Sequence, residues 1–257
     1  MGTLRATILV ITALITVNEG LSLQNRIIGG TNAPDNQYPY MVSISYLGEH
    51  NCGGSVVDHE WIVTAAHCVD GFPLNDLTIY IGSTKLSKGG SKHAIIEAHI
   101  HEQYDSRTIK NDVAILKIAP ISYSTAVNFI KLGDDSVGGG QDCTLTGWGF
   151  TSFNVIGDTI PDDLQQISLK TITVEECQGY KLSVGMNQLC TFTKAGEGFC
   201  VHDSGGPLVM NIGGERKQIG IVSWGMHCAR GYPDVYSRVS SYIEWFHRKC
   251  NCLNRSD

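Results

Sequence analysis

The chain has 257 residues, 42% hydrophobic and 17% charged, enough for a sizeable core in one large or two small units. Nineteen Lys and Arg against twenty-five Asp and Glu give a net charge of −6 with no basic block, which excludes a surface that tracks a phosphate backbone. Twenty-nine Gly, seven Pro and no homopolymer tract exclude collagen-like and disordered chains and point to short strands joined by tight turns.

Arg5 precedes an uncharged, mainly apolar run from Ala6 to Val17, with small and polar residues around Gly20 and Ser22. This is the pattern of a secretory signal peptide, placed at 1–20, and the run falls short of the roughly 20 apolar residues that span a bilayer. After Arg26 the pattern changes to strands and turns. Met41 to Ser45, Leu77 to Ile81 and parts of Gln218 to Trp224 alternate at period two, and glycine pairs at 53–54, 89–90 and 213–214 read as punctuation between strands. The stretch from Ile121 to Lys131 reads as the seam between two β units, about 27–125 and about 126–240. One helix is predicted at about 241–249: Ser241 and Glu244 have capping-box spacing, Ile243 and Phe246 can share a face, and Arg248 and Lys249 complement the dipole in the last turn.

Nine cysteines without repeated CxxC pairs read as disulfides rather than a structural zinc site, and with the signal they place the protein in an oxidising, extracellular compartment. His99 and His101 share a strand face, but no third ligand stands beside them, so they read as strand surface. Asn254-Arg255-Ser256 is a glycosylation acceptor pattern.

Three separated clusters carry chemistry. Thr64-Ala65-Ala66-His67-Cys68 sets a histidine beside a cysteine, Asn111-Asp112 precedes the apolar run Val113 to Leu116, and Asp203-Ser204-Gly205-Gly206-Pro207 puts a serine in a glycine-rich turn. Each alone is common structural chemistry. Together, in the order His, Asp, Ser, and with Ile27-Ile28-Gly29-Gly30 after Arg26, Gly147-Trp148-Gly149, Ser223-Trp224-Gly225 and Pro233-Asp234-Val235-Tyr236, the chain resembles the chymotrypsin-like serine proteases from Ile27 to the end of the helix. Within that family it most resembles arthropod chymotrypsin-like enzymes.

The resemblance implies an all-β fold of two packed antiparallel six-stranded β-barrels with a short C-terminal helix, in a protease domain at 27–257 behind a propeptide at 21–26. It implies Ser204 as nucleophile, His67 as general base, Asp112 as the group that orients His67, and an oxyanion hole from the N–H groups of His202 and Ser204. Cleavage between Arg26 and Ile27 would free an amine to pair with Asp203. The implied disulfides are Cys52 with Cys68, Cys177 with Cys190, and Cys200 with Cys228. Cys143 matches a family cysteine whose partner position holds Met210, so Cys143, Cys250 and Cys252 admit at most one further pair.

Two departures bear on activity and specificity. His202 stands where the family usually has Gly, and the implied substrate pocket combines Gly198, Phe199, Ser223, Trp224, Gly225 and Asp234. Gly198 removes the usual acid at the pocket base, Phe199 adds apolar bulk, and Asp234 sits on a wall position that is commonly Gly. The expected preference is for large apolar residues before the scissile bond. The alternatives are trypsin-like specificity through Asp234, and a catalytically weak homologue that acts by binding. Polypeptide substrates, an activating trypsin-like protease and protein inhibitors are the implied partners of a monomer that engages neither nucleic acid nor membrane. No cofactor is implied, and residues 83–96 contain no acid, so no calcium or other metal is expected.

Overall fold

A computed structural model describes residues 27–152 and 159–250. The expected signal and propeptide segments, Arg26, Cys252 and the Asn254 acceptor lie outside these residues. Among the described residues no helix is long and apolar enough to cross a membrane.

The strands are β1 (Thr31–Asn32), β2 (Met41–Tyr46), β3 (Glu49–Asp58), β4 (Trp61–Thr64), β5 (Leu77–Ile81), β6 (Ser91–Ala94), β7 (Glu97–Ile100) and β8 (Ala114–Lys117). They continue with β9 (Lys131–Leu132), β10 (Asp142–Gly147), β11 (Gln165–Ile172), β12 (Gln188–Thr191), β13 (Pro207–Ile212), β14 (Glu215–Gly225) and β15 (Asp234–Arg238). Helix α1 (Val174–Gly179) precedes β12, and α2 (Ile243–Cys250) closes the described chain. The N-terminal sheet runs β6-β5-β2-β3-β4-β8-β7, all antiparallel. The C-terminal sheet runs β1-β11-β10-β13-β14-β15-β12, and a further β11–β12 pairing closes six of its strands into a barrel. The all-β fold with a C-terminal helix is therefore present. Its second sheet is a closed six-stranded barrel, whereas the seven-stranded first sheet curls without joining its β6 and β7 edges.

Period-two alternation explains the strands. Val42 and Ile44 of β2 and Ile79 and Ile81 of β5 are buried and pair in register, as Val42 with Ile81 and Ile44 with Ile79, so one apolar face is continuous across the first sheet. Each such buried side chain contributes roughly 1.5–3 kcal/mol. The core crosses between sheets: Trp148, Val209, Ile221 and Phe246 belong to the same buried cluster as Val42 and Ile62. Buried Ser55 Oγ donates to Gln218 Oε1 at 2.6 Å across the same junction.

Two local readings are corrected. Gly53 and Gly54 lie inside β3, and the reason is a close approach: a Cβ on Gly53 would sit 2.9 Å from the Gly206 Cα. Ser241 ends a short 3-10 turn, and α2 begins two residues later at Ile243, so the expected capping box does not form there. A capping box forms at α1 instead, where Glu176 N donates to Thr173 Oγ1 at 3.1 Å and Thr173 N donates to Glu176 Oε2 at 2.7 Å.

Cys52–Cys68, Cys177–Cys190 and Cys200–Cys228 are disulfides, and Cys250 is disulfide-bonded as well. Cys143 is a free, buried thiol, and burial pushes its pKa up to about 12.

Candidate active site

β4 ends at Thr64, and the next turn carries His67 between Ala66 and Cys68 of the Cys52–Cys68 bridge. Asp112 reaches it from the loop before β8. Asn111 adopts a left-handed backbone, φ 53°, that turns the chain inward, and its side chain is held by Asn187 Nδ2 at 3.0 Å and the Tyr242 hydroxyl at 3.2 Å. The Asp112 side chain is wholly buried. Its Oδ1 accepts the His67 backbone N–H at 3.0 Å, and its Oδ2 accepts from His67 Nδ1 at 2.8 Å and from Ser223 Oγ at 2.5 Å. The Asp112 carbonyl accepts Ser237 Oγ at 2.8 Å. Ser223 and Ser237 belong to β14 and β15, so the C-terminal barrel clamps an aspartate supplied by the N-terminal sheet. A buried carboxylate that accepts from Nδ1 keeps the imidazole proton there and leaves the Nε2 lone pair free to take another.

Ser204 is half-buried in the turn between Cys200 and β13. The turn docks against the His67 segment through backbone: Gly53 N donates to Ser204 O at 2.7 Å, and a Cβ on Gly205 would collide with Thr64 Oγ1. Among the described residues no hydrogen bond joins Ser204 Oγ to His67 Nε2. Such contacts are commonly long without a bound substrate. Within the turn, the N–H groups of Asp203, Gly205 and Gly206 go to the carbonyls of Cys200, Val222 and Asp203. His202 has φ 77°, the left-handed conformation that favours glycine. Its backbone therefore takes a glycine-like course, at a strain on the order of 1–3 kcal/mol. The ring turns aside onto Phe150, with centroids 4.9 Å apart, and Nδ1 lies 3.3 Å from Asn51 O.

Asp203 is buried, and its carboxylate accepts from Gly149 N at 2.7 Å and Cys200 N at 2.9 Å. Burial raises its pKa to about 7 against the opposing effect of those two N–H donors. Gly147 and Gly149 leave the space it fills: a Cβ on either would overlap the carboxylate. Ile27 is wholly buried in the C-terminal barrel core, and Ile28 O accepts from Gly198 N at 3.2 Å, which binds the start of the described chain to the segment leading into the turn.

In the implied substrate pocket, Phe199 is 7% exposed and packs edge-on against Tyr236 at 5.5 Å. A Cβ on Gly225 would lie 3.2 Å from Phe199 Cε2 and Cζ, so the ring stands directly behind the Gly225 backbone. A Cβ on Gly198 would lie 2.4 Å from Asp234 Oδ2, so the small residue at 198 is the space that admits the Asp234 carboxylate. Asp234 accepts the Phe199 N–H at 2.9 Å, and burial, joined by the nearby Asp203, raises its pKa well above the ordinary carboxylate value. Trp224 neighbours Gly225 at the end of β14. Sequence reasoning missed Ser237, and it read Ser223 as pocket lining without its bond to Asp112; a lone serine in a strand carries no signal of such a partner.

Cys52, His67 and Cys68 bring three potential metal-ligand atoms together, but the two sulfurs are bonded to each other and are not thiolates. His99 pairs with Glu97 at 3.3 Å, while His101 packs between Tyr242 and Trp245.

A family model described as Trypsin matches residues 27–246. The chain is 36% identical to trypsin epsilon of Drosophila erecta, over 91% of each chain. It is 39% identical to chymotrypsin-2 of Vespa crabro, over 86% of this chain and 99% of that one, and 34% identical to trypsin II-P29 of Gallus gallus over 86% and 88%.

Proposed function

The chain belongs to the trypsin family of serine endopeptidases, and from that premise we propose that it cleaves polypeptides through Ser204, His67 and Asp112. The carrying observation is the buried Asp112 carboxylate that takes His67 Nδ1 at 2.8 Å beside the docked Ser204 turn. Ser204 Oγ attacks the scissile carbonyl as His67 Nε2 takes its proton. The N–H groups of His202 and Ser204 receive the oxyanion, each worth about 3–4 kcal/mol in comparable sites. His67 then protonates the leaving amine, and water resolves the acyl-enzyme by the same steps in reverse order. The protein is secreted as a precursor and activated by a trypsin-like protease after Arg26.

A phosphonylating serine reagent tests the reading after trypsin activation. We expect one label per molecule, on Ser204, none in Ser204→Ala, and a large slowing in His67→Ala. Absence of labelling in the activated wild type would favour the binding-only alternative, which His202 and Phe199 suggest.

The proposed specificity is for apolar residues before the scissile bond. Asp234 spends one oxygen on the Phe199 N–H, and burial opposes its charge, so it is a weak anchor for Arg or Lys. The Phe199 ring raises the pocket floor, which narrows the expected large apolar preference toward side chains such as Leu. Phe199→Ala should raise kcat/KM on Phe substrates at least tenfold relative to Leu substrates. If wild type cuts after Arg faster than after Leu, and Asp234→Gly abolishes that, specificity is trypsin-like through Asp234.

A further inference from the structure

His202 and Gly205 lie in the same turn with the same φ of 77°, yet only one of them is glycine. An L side chain at that φ is disfavoured, so residue 202 keeps its course only if surrounding groups hold it there. Its N–H and that of Ser204 donate to no group among the described residues, whereas those of Asp203, Gly205 and Gly206 are bonded within the fold. The two unspent donors are the pair assigned to the oxyanion.

Strand β3 supplies the hold from successive residues. His50, 7% exposed, accepts from Ser43 Oγ at 2.7 Å through Nδ1 and donates from Nε2 to His202 O at 3.1 Å. Asn51 O lies 3.3 Å from His202 Nδ1, and because a carbonyl only accepts, that nitrogen carries the ring proton. Gly53 N donates to Ser204 O at 2.7 Å, so β3 grips the turn on both sides of Asp203. From the opposite direction Phe150 meets the His202 ring edge-on at 4.9 Å, and Phe150 N donates to Val201 O at 3.0 Å. A glycine at 202 could take the His50 bond through its carbonyl, but the bond to Asn51 and the contact with Phe150 exist only because the residue has an imidazole.

On the reading that Ser204 is the nucleophile, we propose that the His202 side chain is a positioning residue for the oxyanion site: Nδ1–H on Asn51 O and the ring on Phe150 keep the peptide in the glycine-like conformation that presents the His202 N–H. The ring acts through its own backbone and touches no substrate. A residue whose side chain departs from the family thus supplies by tethering what glycine supplies by freedom.

The test uses the trypsin-activated full chain and three variants, His202→Ala, His202→Phe and His202→Asn, with kcat and KM separated on a peptide ester and amide hydrogen exchange followed over residues 200–206. Phe keeps a ring without the donor, whereas Asn places an N–H donor at the position of Nδ1 and tolerates a left-handed backbone. His202→Ala should lower kcat at least tenfold with KM changed no more than about threefold, and the N–H groups of Asp203, Gly205 and Gly206 should exchange at least threefold faster. His202→Phe should lower kcat at least fivefold, and His202→Asn should recover at least fivefold of what Ala loses. A smaller loss in Ala, Phe equal to wild type, Asn no better than Ala, or an effect on KM alone would each overturn the proposal. If activated wild type neither labels at Ser204 nor turns over substrate, the catalytic reading fails by itself, and exchange still decides this one: faster in Ala and restored in Asn supports the tether, and equal rates in all four chains overturn it.

Discussion

Asp112→Asn is expected to lower kcat by roughly four orders of magnitude with KM changed no more than about threefold, the scale known for the same change in a Ser-His-Asp protease. The local reason is the number of donors aimed at this carboxylate. His67 Nδ1, the His67 backbone N–H and Ser223 Oγ all point at its two oxygens. An Asn side chain replaces one oxygen with an NH2, so at least one of these donors faces another donor. If the NH2 faces Nδ1, the imidazole must present a lone pair there and carry its proton on Nε2. That tautomer cannot accept the Ser204 proton. The loss corresponds to about 5.4 kcal/mol of barrier and should appear in the chemical step, since no group that contacts substrate has moved. Burst and steady-state kinetics on an ester substrate, with binding of a peptide aldehyde as a control, measure it. A loss of less than tenfold would mean that Asp112 does not orient the base.

Arg26→Gln is expected to leave the trypsin-treated chain at least a thousandfold less active than treated wild type. Without the new terminus, Asp203 is a buried carboxylate with neutral donors from Gly149 and Cys200 and a pKa of about 7. Its unfolded value is about 3.9. A carboxyl whose folded pKa is raised contributes stability that is complete below the unfolded value and is lost as pH rises through the folded one. The uncleaved chain should therefore lose stability between about pH 4 and pH 7, and Asp203→Asn should flatten that part of its melting curve against pH. In the proposed activation, cleavage would reverse the balance by giving Asp203 an ammonium partner and ordering the turn that carries His202 and Ser204. Pairing raises the amine above its free value of about 7.7–8.0, so the active form is supported below that range and loses support as pH rises through the raised value. The activity of the cleaved enzyme is therefore expected to fall at high pH as the Ile27 amine loses its proton. Uncleaved Arg26→Gln protein that matches cleaved wild type would sink the activation mechanism.

Much of this protein is legible along the chain. Alternation marks β2, β5 and part of β14: β5 has one buried face, which repeats at period two, whereas β2 and the middle of β14 are buried on both faces and alternate only in residue type. The His67, Asp112 and Ser204 clusters stand out because each joins a reactive side chain to turn or strand-edge residues. The α1 capping box is equally local, spelled Thr173-Val174-Glu175-Glu176. Other features are absent from any single segment. Gly53 and Gly54 read as a turn until the Gly206 backbone arrives from a segment far along the chain. The sequence places Phe199 in the implied pocket as apolar bulk, but the position of its ring behind the Gly225 backbone and edge-on to Tyr236 is set only by the fold, and Ser223 and Ser237 become clamps on Asp112 only when the C-terminal barrel meets the N-terminal sheet. Closure of the second sheet and the open edges of the first depend likewise on which strands meet, as β11 meets β12. Periodicity records which face of a segment avoids water, a property of neighbouring residues. Side-chain room, hydrogen-bond partners and barrel closure depend on distances between remote segments, and close packing sets those only after the sheets have come together.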